Sequence, residues 1–360
     1  MRILVWYWGR RGGGAQYALG LARALARQQG VTVALSVSAQ GELYPAFRDL
    51  GLAVDGVDTW NGIAGVPGAL LRLPALRRRL LAGARQADVV LSAMTHPLTP
   101  LLAPAVGRIA AYVPVVHDAM PHPGDLAFGW GWRLDRELSS ARAAIALSGA
   151  VAGLLAARRP GLPLIRSGLP ALLAAEGAAA PPPPGPPELV FFGRLKPYKG
   201  LDLLRDAFAA VRLRHPGVRL RVVGEGDAAA AAPGLPALPG VTVETRWVPE
   251  ADIPALLGGA HAVVLPYREA SQSGVAAQAL ALGVPVVATP VGGLPEQVRP
   301  GRGGIVAAAP TAAAFAAALE AALAPGALER LRAEALAARP AGAWDAVAAG
   351  LCDALRRLGR

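Results

Sequence analysis

Short uncharged runs of Val, Ile and Leu alternate along the chain with longer stretches in which apolar residues recur every three or four positions. In the first half the runs are RILVWYW, VTVALSV, ADVVLSA, AAYVPVVHD and AAIALS, and the helical stretches between them include residues 15–29 and 67–86. Runs with little polar alternation are what a parallel sheet covered on both faces requires. The alternation predicts a doubly wound α/β domain.

After Ala174 the text becomes AAEGAAAPPPPGPPE. Consecutive prolines fix φ and remove amide donors, so this stretch reads as a semi-rigid linker. The pattern then restarts with ELVFFG, VRLRVVGEG, VTVETRWV, HAVVLPY, VPVVAT and GGIVAA as strands, and with helices near 201–214, 251–257, 273–282 and 311–323. A last helix is expected over 344–358. The predicted organisation is an N-terminal domain over 1–173, a linker over 174–187, a second domain over 188–340 and a terminal helical segment over 341–360. In open parallel sheets ligands bind beyond the carboxyl ends of the strands. Two such Rossmann-like domains facing each other would frame a cleft with one substrate on each side.

Composition sharpens this picture in a few places. The 360 residues are 53% hydrophobic, enough for two cores, and carry a formal charge of +11. Ala, Gly, Pro and Arg are all abundant, so the charge reads largely as compositional drift. The basic residues are scattered without interleaved aromatics, and no nucleic-acid partner is expected. The single cysteine, Cys352, fits a reducing compartment. The N-terminal apolar run is too short for a secretory signal, and no uncharged run reaches a membrane span, so a cytoplasmic protein is expected. Residues 70–86 are rich in Leu and Arg, an amphipathic pattern that suits an anionic lipid surface or the outside of an ordinary α/β domain. Pro74 is expected to break that helix in two.

Of 36 basic side chains only Lys196 and Lys199 are lysines, and both fall in GRLKPYKGL directly after ELVFF. Gly193 ends the strand, Arg194 follows, and Lys199 opens a helix. A guanidinium fork and a compact ammonium on one carboxyl edge suit a diphosphate. Lys196, between them, reads as solvent-facing. In PYREASQSGV, Glu269 follows a strand, and Ser271, Gln272, Ser273, Gly274 and Val275 open a helix whose amides can hold phosphate. Glu269 suits sugar hydroxyls, and Gly292, Gly293 and Glu296 follow the next strand. In the N-terminal half, GRRGGG places Gly13 and Gly14 at a helix start. This is an anion cradle or a plain tight turn. The dinucleotide fingerprint is absent, which argues against NAD(P). AAYVPVVHD ends on His117 and Asp118, with His122 beyond. By residue type these three read as structure or, less readily, as zinc ligands. His96, after ADVVLSA, is an acceptor-side candidate or a structural imidazole.

The text FFGRLKPYKGLDLL, LRVVGEGD, WVPEADIPALLGGAHAVVLPY and PYREASQSG…VPVVAT…GGLPE resembles the donor domain of the retaining GT-B glycosyltransferases of family 4 (glycosyl transferases group 1). The Gly loop, VVHD and the helix from Trp344 extend the resemblance over nearly the whole chain. It implies that Arg194 and Lys199 grip the donor diphosphate, that Glu269 contacts the transferred sugar, and that His117 lies near the reacting sugar, with Asp118 and His122 on the acceptor side. The family's second Glu binds the ribose, and Gln278 replaces it here, nine positions after Glu269 where the family has eight. A neutral amide keeps an acceptor and loses the charge. The base pocket is expected near Val248. The chain lacks Asp-x-Asp, and no metal cofactor is expected. The implied activity is transfer of a sugar from a nucleoside-diphosphate sugar to a glycan or lipid-linked acceptor hydroxyl. The alternatives are a nucleotide-sugar epimerase on the same fold and a non-catalytic sugar-nucleotide-binding subunit.

Overall fold

The computed structural model describes residues 1–59, 65–121, 123, 129–172, 184–339 and 342–358. The linker stretch 173–183 and His122 lie outside them. Seven strands build the first sheet: β1 (Arg2–Tyr7), β2 (Thr32–Ser38), β3 (Ala53–Val57), β4 (Val89–Ser92), β5 (Ala111–Val116), β6 (Ala144–Ala146) and β7 (Leu164–Arg166). Their order is β3-β2-β1-β4-β5-β6-β7, with every pairing parallel. Six strands build the second: β8 (Glu188–Phe192), β9 (Arg219–Gly224), β10 (Val241–Thr245), β11 (Ala262–Leu265), β12 (Val286–Ala288) and β13 (Gly304–Val306). Their order is β10-β9-β8-β11-β12-β13, again parallel throughout. Both sheets are doubly wound, as the alternation of runs predicts. The order reverses between β1 and β4 in one and between β8 and β11 in the other.

The chain forms two compact units. The first carries β1–β7 together with residues 342–358, and the second carries residues 169–172 and 184–339. The terminal helix Ala343–Leu358 packs on the helix Gly13–Ala26 within the first unit. Arg27 pairs with Asp345 at 2.6 Å, and the Arg356 guanidinium donates to the Gln29 carbonyl at 3.2 Å. Half-exposed pairs of this kind contribute little. The burial of Ala348, Leu351, Cys352 and Leu355 on one face of the terminal helix is the larger stabilising term.

Local sequence explains most elements. The helix Leu201–Arg214 buries Leu201, Leu204, Phe208 and Val211, spaced as one helical face. It begins after Gly200, whose φ of 68° is the left-handed conformation glycine tolerates. The pattern does not predict β3 or β7. AVDGV carries Asp and Gly in its interior, and LIR is only three residues long, so neither has a strand signature apart from its partner. The helix Val66–Arg85 runs unbroken through Pro74, contrary to expectation. Pro74 sits on its exposed side, where water can serve the carbonyl one turn back that loses its donor. Among the described residues no single helix is long and apolar enough to cross a membrane.

Candidate functional site

In the second unit the motif GRLKPYKGL occupies the exit of the central strand β8, at the reversal of strand order. Two neighbouring exits are stitched to it. On the β9 side, the Gly193 amide donates to the Val223 carbonyl at 3.1 Å and the Leu195 amide to the Glu225 carbonyl at 2.7 Å. Gly224 has no room for a side chain, because a Cβ there would stand 1.8 Å from the Gly193 oxygen. On the β11 side, the Tyr198 carbonyl accepts from the Arg268 amide at 2.8 Å. Asp202 and Arg268 close the same junction with an ion pair at 2.5 Å.

Within this frame Arg194 is exposed and donates to the Tyr198 hydroxyl at 3.0 Å. The Lys199 ammonium lies 3.6 Å from the ring centroid of Tyr267 and 5.1 Å from that of Tyr198. Two cations and several backbone amides thus share one carboxyl edge, the position at which doubly wound sheets bind anions. Lys196 is half-buried in the same loop.

The β11 exit also carries the PYREASQSG segment. Glu269 is exposed. Ser271, Gln272, Gly274 and Val275 are half-buried around the start of the helix Gly274–Ala281. Ser273 is its cap: the hydroxyl accepts from the Ala276 amide at 3.2 Å. The Ser273 backbone is itself held by both ends of the Gln297 amide, at 2.7 and 3.2 Å. Leu172 lies against the helix start, since a Cβ on Gly274 would stand 2.9 Å from its Cδ1. Gln278 is buried on the same helix. Gly292 approaches the Ala270 carbonyl so closely that any side chain is excluded, and the Gly293 amide donates to that carbonyl at 3.3 Å. Val248 packs its side chain with Val223 and Leu256, so what it offers a ligand is its backbone. Glu296 lies in the short helix Leu294–Gln297.

In the first unit the corresponding reversal lies between β1 and β4. Gly12, with φ 81°, opens the helix Gly13–Ala26, and no side chain caps it. A Cβ on Gly14 would meet the Met94 sulfur at 2.5 Å, so the glycine loop and the β4 exit are in direct contact. His117 leaves β5, and its Nε2 lies 2.9 Å from the Ala93 carbonyl, which makes Nε2 the protonated nitrogen. The Tyr17 ring meets His117 edge-on at 5.1 Å. Burial lowers the His117 pKa against the smaller opposing effects of the Ala93 carbonyl and Asp118. Asp118 is half-buried beside it.

His96 is buried and fixed at both ends of its own loop. Its amide donates to the Thr99 hydroxyl at 2.9 Å, and its Nδ1 accepts from the Leu98 amide at 3.3 Å. Burial, with Arg133 and Arg10 nearby, pushes its pKa down to about 3, so it is neutral at pH 7. Among the described residues no group of three His, Cys, Asp or Glu side chains is placed to hold a metal ion.

Two features of this edge have no sequence signal. Glu137 is fully buried on the helix Trp130–Leu138 and accepts from Tyr112 at 2.6 Å and from Thr95 at 2.8 Å. It ties down the loop that carries both His96 and the carbonyl holding His117. Burial raises its pKa, partly offset by those two hydroxyls. Trp344 lies 5.5 Å from the Tyr17 ring, joining the terminal helix to the same aromatic group. A lone Glu in WRLDREL and a Trp opening a helix read as surface features until their partners are known.

Two family models match the chain: "Glycosyltransferase Family 4" over residues 11–164 and "Glycosyl transferases group 1" over residues 186–324. The chain is 36% identical over 170 residues to a D-inositol 3-phosphate glycosyltransferase of Actinosynnema mirum, covering 44% of this chain and 41% of that protein. It is 35% identical over 164 residues to a glycogen synthase of Mycobacterium tuberculosis, covering 45% and 40%. The matches thus span less than half the length of these curated relatives. The fold is similar to that of HepE from Anabaena in complex with UDP, with a TM-score of 0.75 at 18% identity over 99% of this chain and 100% of that one. It is also similar to sucrose-phosphate synthase from Thermosynechococcus elongatus, with a TM-score of 0.72 at 17% identity over 100% and 99%.

Proposed function

The chain belongs to the family 4 glycosyltransferases, and on that premise we propose that it transfers a sugar from a nucleoside-diphosphate sugar to an acceptor hydroxyl with retention of anomeric configuration. The observation that carries the reading is the pairing of Arg194 and Lys199 on the β8 exit, with Lys199 over the Tyr267 ring at 3.6 Å. Breaking the bond from the anomeric carbon to the diphosphate leaves negative charge on phosphate oxygens. Fixed cations and helix-start amides stabilise that charge most when it develops, which is where rate acceleration comes from.

In this reading the second unit holds the donor and the first holds the acceptor. The phosphates lie against Arg194, Lys199, Gly193 and the Ser271–Val275 helix start. The base lies near Val248, and the ribose against Gln278. Glu269 contacts the transferred sugar in the second unit, and His117, Gly13 and Gly14 stand at strand exits of the first unit. The acceptor oxygen attacks from the face the diphosphate leaves, and its proton passes to the departing phosphate oxygen. The half-buried, Nε2-protonated His117 serves as a hydrogen-bonding group, since desolvation disfavours its cation. No metal is required for charge neutralisation in this scheme.

The solved relative HepE has been crystallised with UDP and with UDP-glucose, which makes UDP-glucose the first donor to try. A glycan or lipid-linked acceptor at the inner face of the cytoplasmic membrane is the proposed setting. The outward stripe of the helix Val66–Arg85, with Leu71 85% exposed and Arg78 and Arg85 about two and four turns further along the same face, is the proposed lipid contact. Replacement of the family's ribose Glu by Gln278 favours one competing reading, a binding subunit without turnover.

The deciding experiment incubates the protein with UDP-, GDP- and dTDP-sugars, with and without membrane extract. Acceptor-dependent transfer with a retained anomeric proton coupling supports the proposal. Conversion of the sugar nucleotide alone means an epimerase, and binding without turnover means a subunit; either overturns it.

A further inference from the structure

A composition that writes arginine almost everywhere keeps lysine at 199, and the environment of that side chain gives a physical reason. Gly200 has φ 68°, and a Cβ there would stand 2.0 Å from the Pro266 carbonyl, so the turn after Lys199 sits hard against the β11 exit. That close approach carries the Lys199 side chain across to Tyr267, whose ring centroid is 3.6 Å from Nζ. The Tyr267 ring is itself immobilised. It is fully buried, meets Phe191 edge-on at 6.5 Å, and its carbonyl accepts from the Thr289 hydroxyl. Burial pushes its hydroxyl up to about 12, the Ser273 hydroxyl acting the other way, so the ring is neutral at any physiological pH. The Tyr198 ring, 5.1 Å away, stands on a second side.

We propose that Tyr267 is a positioning residue for Lys199: its ring face, with Tyr198 beside it, forms a seat selective for an ammonium over a guanidinium and fixes the charge that meets the donor's diphosphate. An ammonium over a ring is attracted from one side and keeps N–H donors on the others. A guanidinium in the same place stacks flat, and its donors then lie in a plane parallel to the ring. The seat therefore explains why this position does not drift to arginine with the rest of the chain. The inference rests on the transferase reading only for the identity of the anion; the seat itself is a property of the ligand-free protein.

Because the chain holds only two lysines, selective labelling with ¹³Cε-lysine gives two ε-methylene signals, and Lys196→Arg assigns them. The Lys199 signal is expected upfield from the ring current, and to move on addition of UDP. Tyr267→Leu is expected to return it to the random-coil position and to raise the donor KM about tenfold, the scale of a partly buried cation–π contact. Tyr267→Phe, which keeps the ring, restores both. Lys199→Arg with Tyr267 intact fails to recover transfer. Circular dichroism of each variant checks that the fold is kept. An unshifted Lys199 in the unaltered protein, or Leu and Phe variants that behave alike, overturns the proposal. An upfield signal lost in Tyr267→Leu but indifferent to every nucleotide sugar leaves the seat standing and overturns the transferase reading instead.

Discussion

The indole of Trp344 lies on Gly20, where a Cβ would stand 2.5 Å from the ring. The residues are more than three hundred positions apart, and the missing side chain on one is the space the other fills. Gly20→Ala is expected to push the ring off the helix Gly13–Ala26 and to cost about 1–3 kcal/mol, the range for overpacking a fitted contact. Trp344→Ala relieves the clash, so the two substitutions combine less than additively. Urea unfolding of the two singles and the double variant checks this coupling.

Lys199→Ala is expected to lower the rate of sugar transfer about 100-fold, roughly 3 kcal/mol of lost charge stabilisation. Its melting temperature should stay near that of the unaltered protein, because Lys199 is half-buried and its loop is held by backbone bonds. Initial-rate kinetics with a defined donor decide it; near-normal turnover removes Lys199 from the mechanism.

His96 gives a pH dependence whose sign is fixed by its burial. Its pKa falls from 6.5 to about 3 on folding. Between those values the unfolded chain takes up a proton that the folded chain refuses. The neutral imidazole's contribution is complete above about pH 6.5 and is lost as the pH falls, by about 1.4 kcal/mol per unit at most. His96→Asn keeps an acceptor for the Leu98 amide and does not titrate. Its stability curve should fall less steeply than that of the unaltered protein between pH 6 and 4.

Glu137→Ala leaves the Thr95 and Tyr112 hydroxyls without their buried acceptor and should cost about 2–4 kcal/mol. The loop they anchor supplies the Ala93 carbonyl to His117. The variant is therefore expected to weaken the His117 Nε2 proton signal in nitrogen-detected NMR as well as lowering the melting point. Glu137→Gln, which retains an acceptor oxygen, should lose less of both.

Much of the fold is legible in the sequence because its signals are local. The helix Leu201–Arg214 coincides with its predicted bounds. Among the described residues eleven of the thirteen strands have a readable apolar run, and the motif GRLKPYKGL marks its own place at a strand exit. The elements that escape prediction are edge strands such as Leu164–Arg166, which exist because Ala144–Ala146 offers them a hydrogen-bonding partner. Pro74 misleads for the opposite reason: its local penalty is real, and an exposed face absorbs it.

The site divides in the same way. Residue types and spacing by themselves mark out Arg194, Lys199, Glu269, His96 and His117 as candidates, because glycines, cations and histidines at strand ends are visible as text. What those side chains experience is decided by strand order. Lys199 meets Tyr267 because β8 and β11 are neighbours, across some seventy residues of chain. His117 meets Ala93 because β5 lies beside β4, and His96 is neutral because the tertiary fold removes it from water. Periodicity reports how a residue relates to its own helix or strand. Charge state and contact depend on which distant exits the sheet brings together, and that is set only when the strands pair.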